Sequence, residues 1–154
     1  MNIFFGNEQN EPVDEAALRR FAQVILEAEG FPGGTEMAVI LVDAGQMAEY
    51  NQRFMDREGP TDVLSFPLAD LEPGAIPVPV ANDPPVALGD VFLCPSEIGL
   101  HAAAEGVDSE DFLFLLLAHG ILHLLGYGHD DDDSAELMED RERQLLALGG
   151  RKLP

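Results

Sequence analysis

The order of apolar and polar positions divides the chain into a series of strands and helices. Asn2 to Phe5 reads as a first strand. Asp14 to Glu29 reads as an amphipathic helix that turns Leu18, Phe21 and Ile25 inward, with Gly30 beyond its end. Met37 to Val42 is an unbroken apolar run, the pattern of a central strand buried on both faces. Asp43 then offers an N-cap oxygen to a short helix from Ala44 to about Phe54. Val63 to Phe66 and Leu88 to Leu93 supply two further strands, and Pro95 suits the first turn of a helix running to about Glu105. A last helix, from about Ser134 to Leu148, carries Leu137, Arg141 and Leu145 and ends at Gly149-Gly150. Between the third and fourth strands, Pro67 to Ala87 holds six prolines, which exclude a central strand. A flap beside a cleft, an edge strand and an inert linker all suit this segment.

One helix departs from the amphipathic pattern. Ser109 offers it an N-cap, Glu110 and Asp111 complement the positive end of its dipole, and Phe112 to Leu125 is nearly all apolar. Such a helix must be buried, and it is too short and too interrupted for a bilayer, which needs about 20 apolar residues. It carries His119 and His123, which at i and i+4 lie about 40° apart around the axis and can converge on one point. Gly126 can take the left-handed conformation that ends the helix, so that His129 folds back toward the first two.

Each buried imidazole needs a partner, and one shared metal ion serves all three better than three separate hydrogen bonds. Three imidazoles without cysteine suit Zn²⁺ best, although Ni²⁺, Cu²⁺ and Fe²⁺ also accept nitrogen ligands. With no fourth protein ligand, water takes the open position and its pKa falls to about 7, which outlines a hydrolytic site.

The spacing HxxxHxxGxxH is also that of the metzincin peptidases. Those enzymes place a Glu general base directly after the first His, and this chain has Gly120 there. Peptidase chemistry would therefore keep its metal and lose its base. Met138, nine residues after His129, reads as a helix-core methionine and not as the methionine beneath such sites.

Longer blocks point elsewhere. HGILHLLGYGH, from His119 to His129, resembles the HGxLHLxGYDH signature of the YbeY family of metal-dependent endoribonucleases, which act in ribosomal RNA maturation. NQRFMDREGPTDVLSF, from Asn51 to Phe66, resembles the family segment ending in PTDVLSF; LGDV, from Leu88 to Val91, resembles its GD-containing strand. Met138 and Glu142 sit where the family's last helix usually carries Met and Glu.

The resemblance implies one α+β domain of zincin-like type over residues 1–154, a mixed four-stranded sheet packed with about five helices. It implies a zinc-dependent endoribonuclease of single strands, acting at the 3′ end of 16S ribosomal RNA and in ribosome quality control. His119, His123 and His129 would hold one Zn²⁺, or Ni²⁺ or another divalent ion, and act in catalysis through it. The partners implied are ribosomal RNA, small-subunit precursors and ribosome-assembly factors.

Two positions depart from the family pattern. Met55 stands where the family has an Arg six residues before the Thr of PTDVLSF, here Thr61, so Arg57, in place of the usual Lys, is the candidate phosphate contact, with Arg53 nearby. Gly128 replaces the Asp before the third His and removes a carboxylate that could orient a ligand or water. A non-catalytic ribosome-assembly factor with a structural metal, and a metallohydrolase of another substrate, are the alternatives.

Composition bounds the rest. At 154 residues and 46% hydrophobic, the chain has material for one domain with a real core. The start MNIFFGNEQ lacks the basic and apolar regions of a signal peptide, and no segment spans a membrane, so a cytoplasmic location is expected. The single cysteine, Cys94, excludes an internal disulfide and reads as a buried structural thiol.

The net charge of −21, from eight basic and 29 acidic residues, opposes RNA binding as a whole. A local groove can still be positive, and Arg19, Arg20, Arg53 and Arg57 are candidates for it. Acidity with only one lysine, Lys152, also fits a high-salt cytoplasm, where self-repulsion is screened. Asp130 could be a fourth ligand, but Asp130 to Asp133 reads more simply as an acidic first turn. His101 reads as an ordinary helical histidine, while Thr61 and Asp62 suit either substrate positioning or strand initiation.

Overall fold

A computed structural model describes residues 1–76 and 84–154, and its elements follow the expected series in order. They are β1 (Asn2–Glu8), α1 (Glu15–Ala28), β2 (Glu36–Val42), α2 (Ala44–Met55), β3 (Val63–Pro67), β4 (Ala87–Leu93), α3 (Pro95–Glu105), α4 (Ser109–Leu124) and α5 (Asp132–Leu148). The strands form one mixed sheet in the order β1-β2-β4-β3, with β1, β2 and β4 parallel and β3 antiparallel to β4 at an edge. This is the α+β arrangement that the resemblance implied. The flap reading of residues 67–87 falls partly on residues 77–83, outside the described residues.

Local chemistry explains most of the helix boundaries. Asp43 caps α2 and Pro95 opens α3 at its first turn, both as expected, and Gln46 completes a reciprocal capping box with Asp43. One cap and one helix start differ from expectation. The side chain capping α4 is that of Asp108, accepting from the Asp111 N–H at 2.9 Å, so Ser109 is the first helical residue and not the cap. Asp131 caps α5 through the Ser134 N–H at 2.7 Å, which starts that helix at Asp132 instead of Ser134. In both cases an acidic cap one or more residues upstream adds charge complementarity to the hydrogen bond.

The two faces of the sheet are covered unequally. Ile3, Met37, Val39, Leu41, Val91 and Leu93 point into the main core, which α1, α4 and α5 fill with residues including Leu18, Phe21, Phe114, Leu117, Ile121 and Met138. The alternate residues point the other way, where Val42, Leu64 and Cys94 meet Met47 of α2. Burial along β2 therefore alternates, with Ala38 and Ile40 only half-buried, instead of being complete on both faces as the apolar run suggested. A single short helix is too small to cover that side. On α5, Leu145 and the expected core methionine Met138 are buried, but Leu137 is not. Leu137 is 52% exposed, and Met138, Glu142, Leu145 and Leu146 face the core. No helix among the described residues is long and apolar enough to cross a membrane.

Candidate metal centre

The helix that carries the first two histidines lies unusually close to the sheet. A Cβ at Gly120 would sit 2.6 Å from Val91 Cγ1, 3.2 Å from Val63 Cγ2 and 3.3 Å from Ser65 Oγ. The Ser65 hydroxyl donates to the Gly120 carbonyl at 2.9 Å, tying β3 to α4 between the two histidines. Position 120 therefore faces the sheet, and a carboxylate there would be buried against Val63 and Val91. The peptidase base is excluded by packing as well as by residue identity.

The turn after α4 returns the third histidine. Gly126 has φ +97°, the Gly126 N–H reaches the His123 carbonyl at 3.2 Å, and the Tyr127 N–H reaches the Leu122 carbonyl at 3.0 Å. The left-handed glycine is as expected. A second reason for it is tertiary: a Cβ there would overlap the Leu71 carbonyl and crowd Glu72 Cα, because the chain after β3 crosses the turn.

The three rings converge. His123 Nδ1 donates to the Tyr127 carbonyl at 2.9 Å, and His119 Nδ1 faces Glu142 Oε2 at 3.4 Å. In the neutral rings, these contacts leave the lone pair of each residue on Nε2. The two Nε2 atoms lie 3.0 Å apart, and a ligand nitrogen from each of His119, His123 and His129 falls within 4.8 Å of the others. Facing lone pairs at that distance repel unless a cation lies between them. Two nitrogens on one tetrahedral Zn²⁺ at about 2.0–2.1 Å stand about 3.3 Å apart, so the donor set fits such an ion. His119 and His123 are half-buried and His129 is exposed, which gives the centre one open side. Burial, then the neighbouring His119, lowers the pKa of His123 below 6.5, which favours the neutral form that a metal ligand requires.

Residues distant in sequence support the three histidines. Glu142, with its side chain 8% exposed, is the buried carboxylate behind His119. Its place in the family pattern was visible in the sequence, but its direction toward His119 was not. Tyr127, whose carbonyl holds His123, is itself held by its surroundings: burial, then the nearby Glu29 carboxylate, pushes its hydroxyl pKa upward. Glu29 in turn pairs with Arg141 of α5, so α1, α5 and the turn meet in one charged network. No sequence signal marked this network.

Other candidates fall outside the centre. Asp130 is exposed and does not join the group of three, while Asp132 and Asp133 form an acidic first turn of α5, as expected. Arg57 follows the left-handed Asp56 beyond α2 and is exposed, and no hydrogen bond or ion pair joins its side chain to the histidines among the described residues. The four candidate arginines do not share one groove. Arg19 bonds the Ile3 carbonyl beside β1, whereas Arg53 lies by Phe54, whose ring meets Phe66 of β3 at the opposite edge. His101 is more than an ordinary helical histidine, since its Nδ1 pairs with Asp62 Oδ1 at 2.5 Å and joins α3 to the start of β3. Cys94 is buried as expected.

The profile of the family described as endoribonuclease YbeY matches residues 4–149. This chain belongs to the YbeY family. Similar curated proteins named Endoribonuclease YbeY include that of Thermobifida fusca, 42% identical, with 99% of this chain and 97% of that protein covered. That of Acidothermus cellulolyticus is also 42% identical, with 96% and 87% covered. That of Beutenbergia cavernae is 40% identical, with 98% and 100% covered. A solution structure of a Thermotoga maritima protein superposes with a TM-score of 0.64 at 26% identity, covering 96% of this chain and 88% of the other. The YbeY match spans every element of the sheet as well as the histidine segment, so family membership rests on the whole fold.

Proposed function

We propose that this chain is a metal-dependent endoribonuclease of single-stranded RNA acting in ribosomal RNA maturation, with His119, His123 and His129 as the ligands of one Zn²⁺. The observation that carries the reading is the convergence of the three imidazoles, with the Nδ1 atoms of His119 and His123 engaged by Glu142 and the Tyr127 carbonyl. Bound zinc supplies Lewis acidity toward a phosphoryl oxygen. The protein's part is to hold the ligands rigidly: Tyr127 fixes the tautomer of His123, Glu142 orients His119, and the Gly126 turn returns His129. Arg57 is the proposed phosphate contact. Family membership supports the extension to small-subunit precursors at the 3′ end of 16S RNA, to ribosome-assembly factors as partners, and to a cytoplasmic location. The domain is proposed to comprise residues 1–154 as a unit.

Metal analysis and RNA cleavage on the unmodified chain beside His123→Ala test the reading. The variant should lose both metal and cleavage, and equal cleavage by the two proteins would refute metal catalysis. End-group analysis separates attack by water, which leaves a 5′-phosphate, from attack by the neighbouring 2′-hydroxyl, which leaves a 2′,3′-cyclic phosphate. Met55 favours a second reading, a metal-containing assembly factor without turnover, because an exposed thioether cannot clamp phosphate. That protein would bind precursor particles and cleave nothing.

A further inference from the structure

On the side of the sheet away from α4, four aromatic rings close into a circle. Tyr50 meets Phe92 at 5.1 Å between centroids, Phe92 meets Phe66 at 5.5 Å, Phe66 meets Phe54 at 5.4 Å, and Phe54 meets Tyr50 at 6.2 Å. Three of the rings are half-buried, but Phe54 is 57% exposed. Its ring packs against Phe66 at 70° and Tyr50 at 41°. A large flat ring held in this way has little entropy left to lose on binding, which is the requirement for a stacking surface.

Charge selects the kind of occupant. Arg141, Arg143 and Arg151 are each paired with a carboxylate, with Glu29, Asp140 and Glu110 respectively. Arg53 lies 5.8 Å from the Phe54 ring centroid and has no ion pair among the described residues. A ring beside an uncommitted guanidinium suits a strand that carries a phosphate at every nucleotide. Position agrees with charge. Phe66 is on β3, and its neighbour Ser65, on the other face of that strand, bonds the Gly120 carbonyl beside His119. One edge strand thus separates the ring from the helix that bears the ligands.

We infer that Phe54 is a stacking platform for an unpaired nucleobase of the RNA, with Arg53 contacting the adjacent phosphate. The inference rests on the ribonuclease reading above and adds to it a structural source of single-strand preference. Every base has a flat face, so the platform tolerates sequence, but a base inside a duplex has no free face to offer.

The chain contains no tryptophan, so Phe54→Trp introduces a single indole reporter at the platform. Phe4→Trp, an exposed position on the opposite edge strand, serves as control. Each full-length variant is mixed rapidly with short polyuridylate, before cleavage, and with the same strand annealed to polyadenylate. The single strand should quench Phe54→Trp emission, the duplex should leave it nearly unchanged, and Phe4→Trp should respond to neither. Phe54→Ala should raise KM for single-stranded RNA by roughly 5- to 100-fold with metal content and Tm unchanged, and Phe54→Tyr should restore it while Phe54→Leu should not. Cleavage by the unmodified chain with an unquenched Phe54→Trp, equal quenching of both reporters, or rescue by Phe54→Leu overturns the platform and leaves the ribonuclease reading intact. Quenching without cleavage supports the platform and overturns the ribonuclease reading; neither quenching nor cleavage overturns both.

Discussion

On one side of the sheet α4 is pressed so close that Gly120 has no room for a Cβ, while on the other side α2 ends with Phe54 and Met55 largely bare. The first side is determined many times over. Each histidine-bearing segment is held through a backbone group: the Gly120 carbonyl by the Ser65 hydroxyl, the Gly126 turn by its own hydrogen bonds and the crossing chain, and His123 by the Tyr127 carbonyl. The second side is a half-covered surface of aromatic and basic side chains. The difference teaches that the candidate metal centre is built on the packed core, whereas the proposed RNA side is an addition to the surface. Changes on the first should damage the fold and the metal together, and changes on the second should alter substrate handling alone.

Gly126→Ala is the strongest attempt to break the closely packed side. The added Cβ meets the Leu71 carbonyl at a left-handed backbone position, so unfolding in urea should show a loss of roughly 3 kcal/mol and dialysed protein should retain less zinc. A variant with full stability and metal would show that the turn is not tightly held.

Arg141→Met comes next. It leaves the Glu29 carboxylate, whose side chain is 7% exposed, without its partner. Because Arg141 is itself 24% exposed, the expected cost is about 2 kcal/mol, below that of a fully buried pair, and Glu29→Gln in the same chain should recover most of it. A double-mutant cycle with no coupling would remove the network as a support of the Tyr127 turn.

Glu142→Gln should act on affinity more than on folding. Zinc affinity, read by chelator competition, should fall by about 10- to 100-fold, since His119 loses its orienting carboxylate. Unchanged affinity would make the contact a passive one.

A smaller effect concerns pH. The folded-state pKa of His123 lies below the unfolded value of 6.5, so the unfolded chain binds a proton first as pH falls. Metal-free protein should therefore lose stability as pH drops below about 6.5 toward the folded pKa, a loss readable as Tm against pH. The same slope in His123→Ala would assign it to other groups.

Met55→Arg should have the least effect on stability, within about 0.5 kcal/mol, because the site is exposed. It should lower KM for RNA by restoring a guanidinium beside Phe54 and Arg57. A large stability change would mean that the α2 surface belongs to the core after all.

Much of the fold could be read along the chain because its elements are short and locally signalled. Asp43 with Gln46, Pro95 and the apolar run of α4 each encode structure within a few residues. Where two neighbouring residues could serve equally, local chemistry does not choose between them, as with Ser109 against Asp108, whereas Met138 is a core residue as its helix position implies. Which neighbour caps or is buried depends on the approach direction of the rest of the chain. The candidate arginines do not form one groove for a related reason: no local pattern reveals the sheet order β1-β2-β4-β3, which sends Arg19 and Arg53 to opposite edges.

By itself the sequence determined the convergence of three imidazoles, their return at Gly126 and the absence of a Glu after the first of them. Those are relations of four to ten residues, set by helix pitch and one left-handed glycine. Only the tertiary structure decided what stands behind and beside that set. Glu142 meets His119 across 23 residues, Arg141 meets Glu29 across 112, and Ser65 reaches Gly120 across 55. Such contacts arise from packing a buried helix against a sheet, and no local periodicity encodes them.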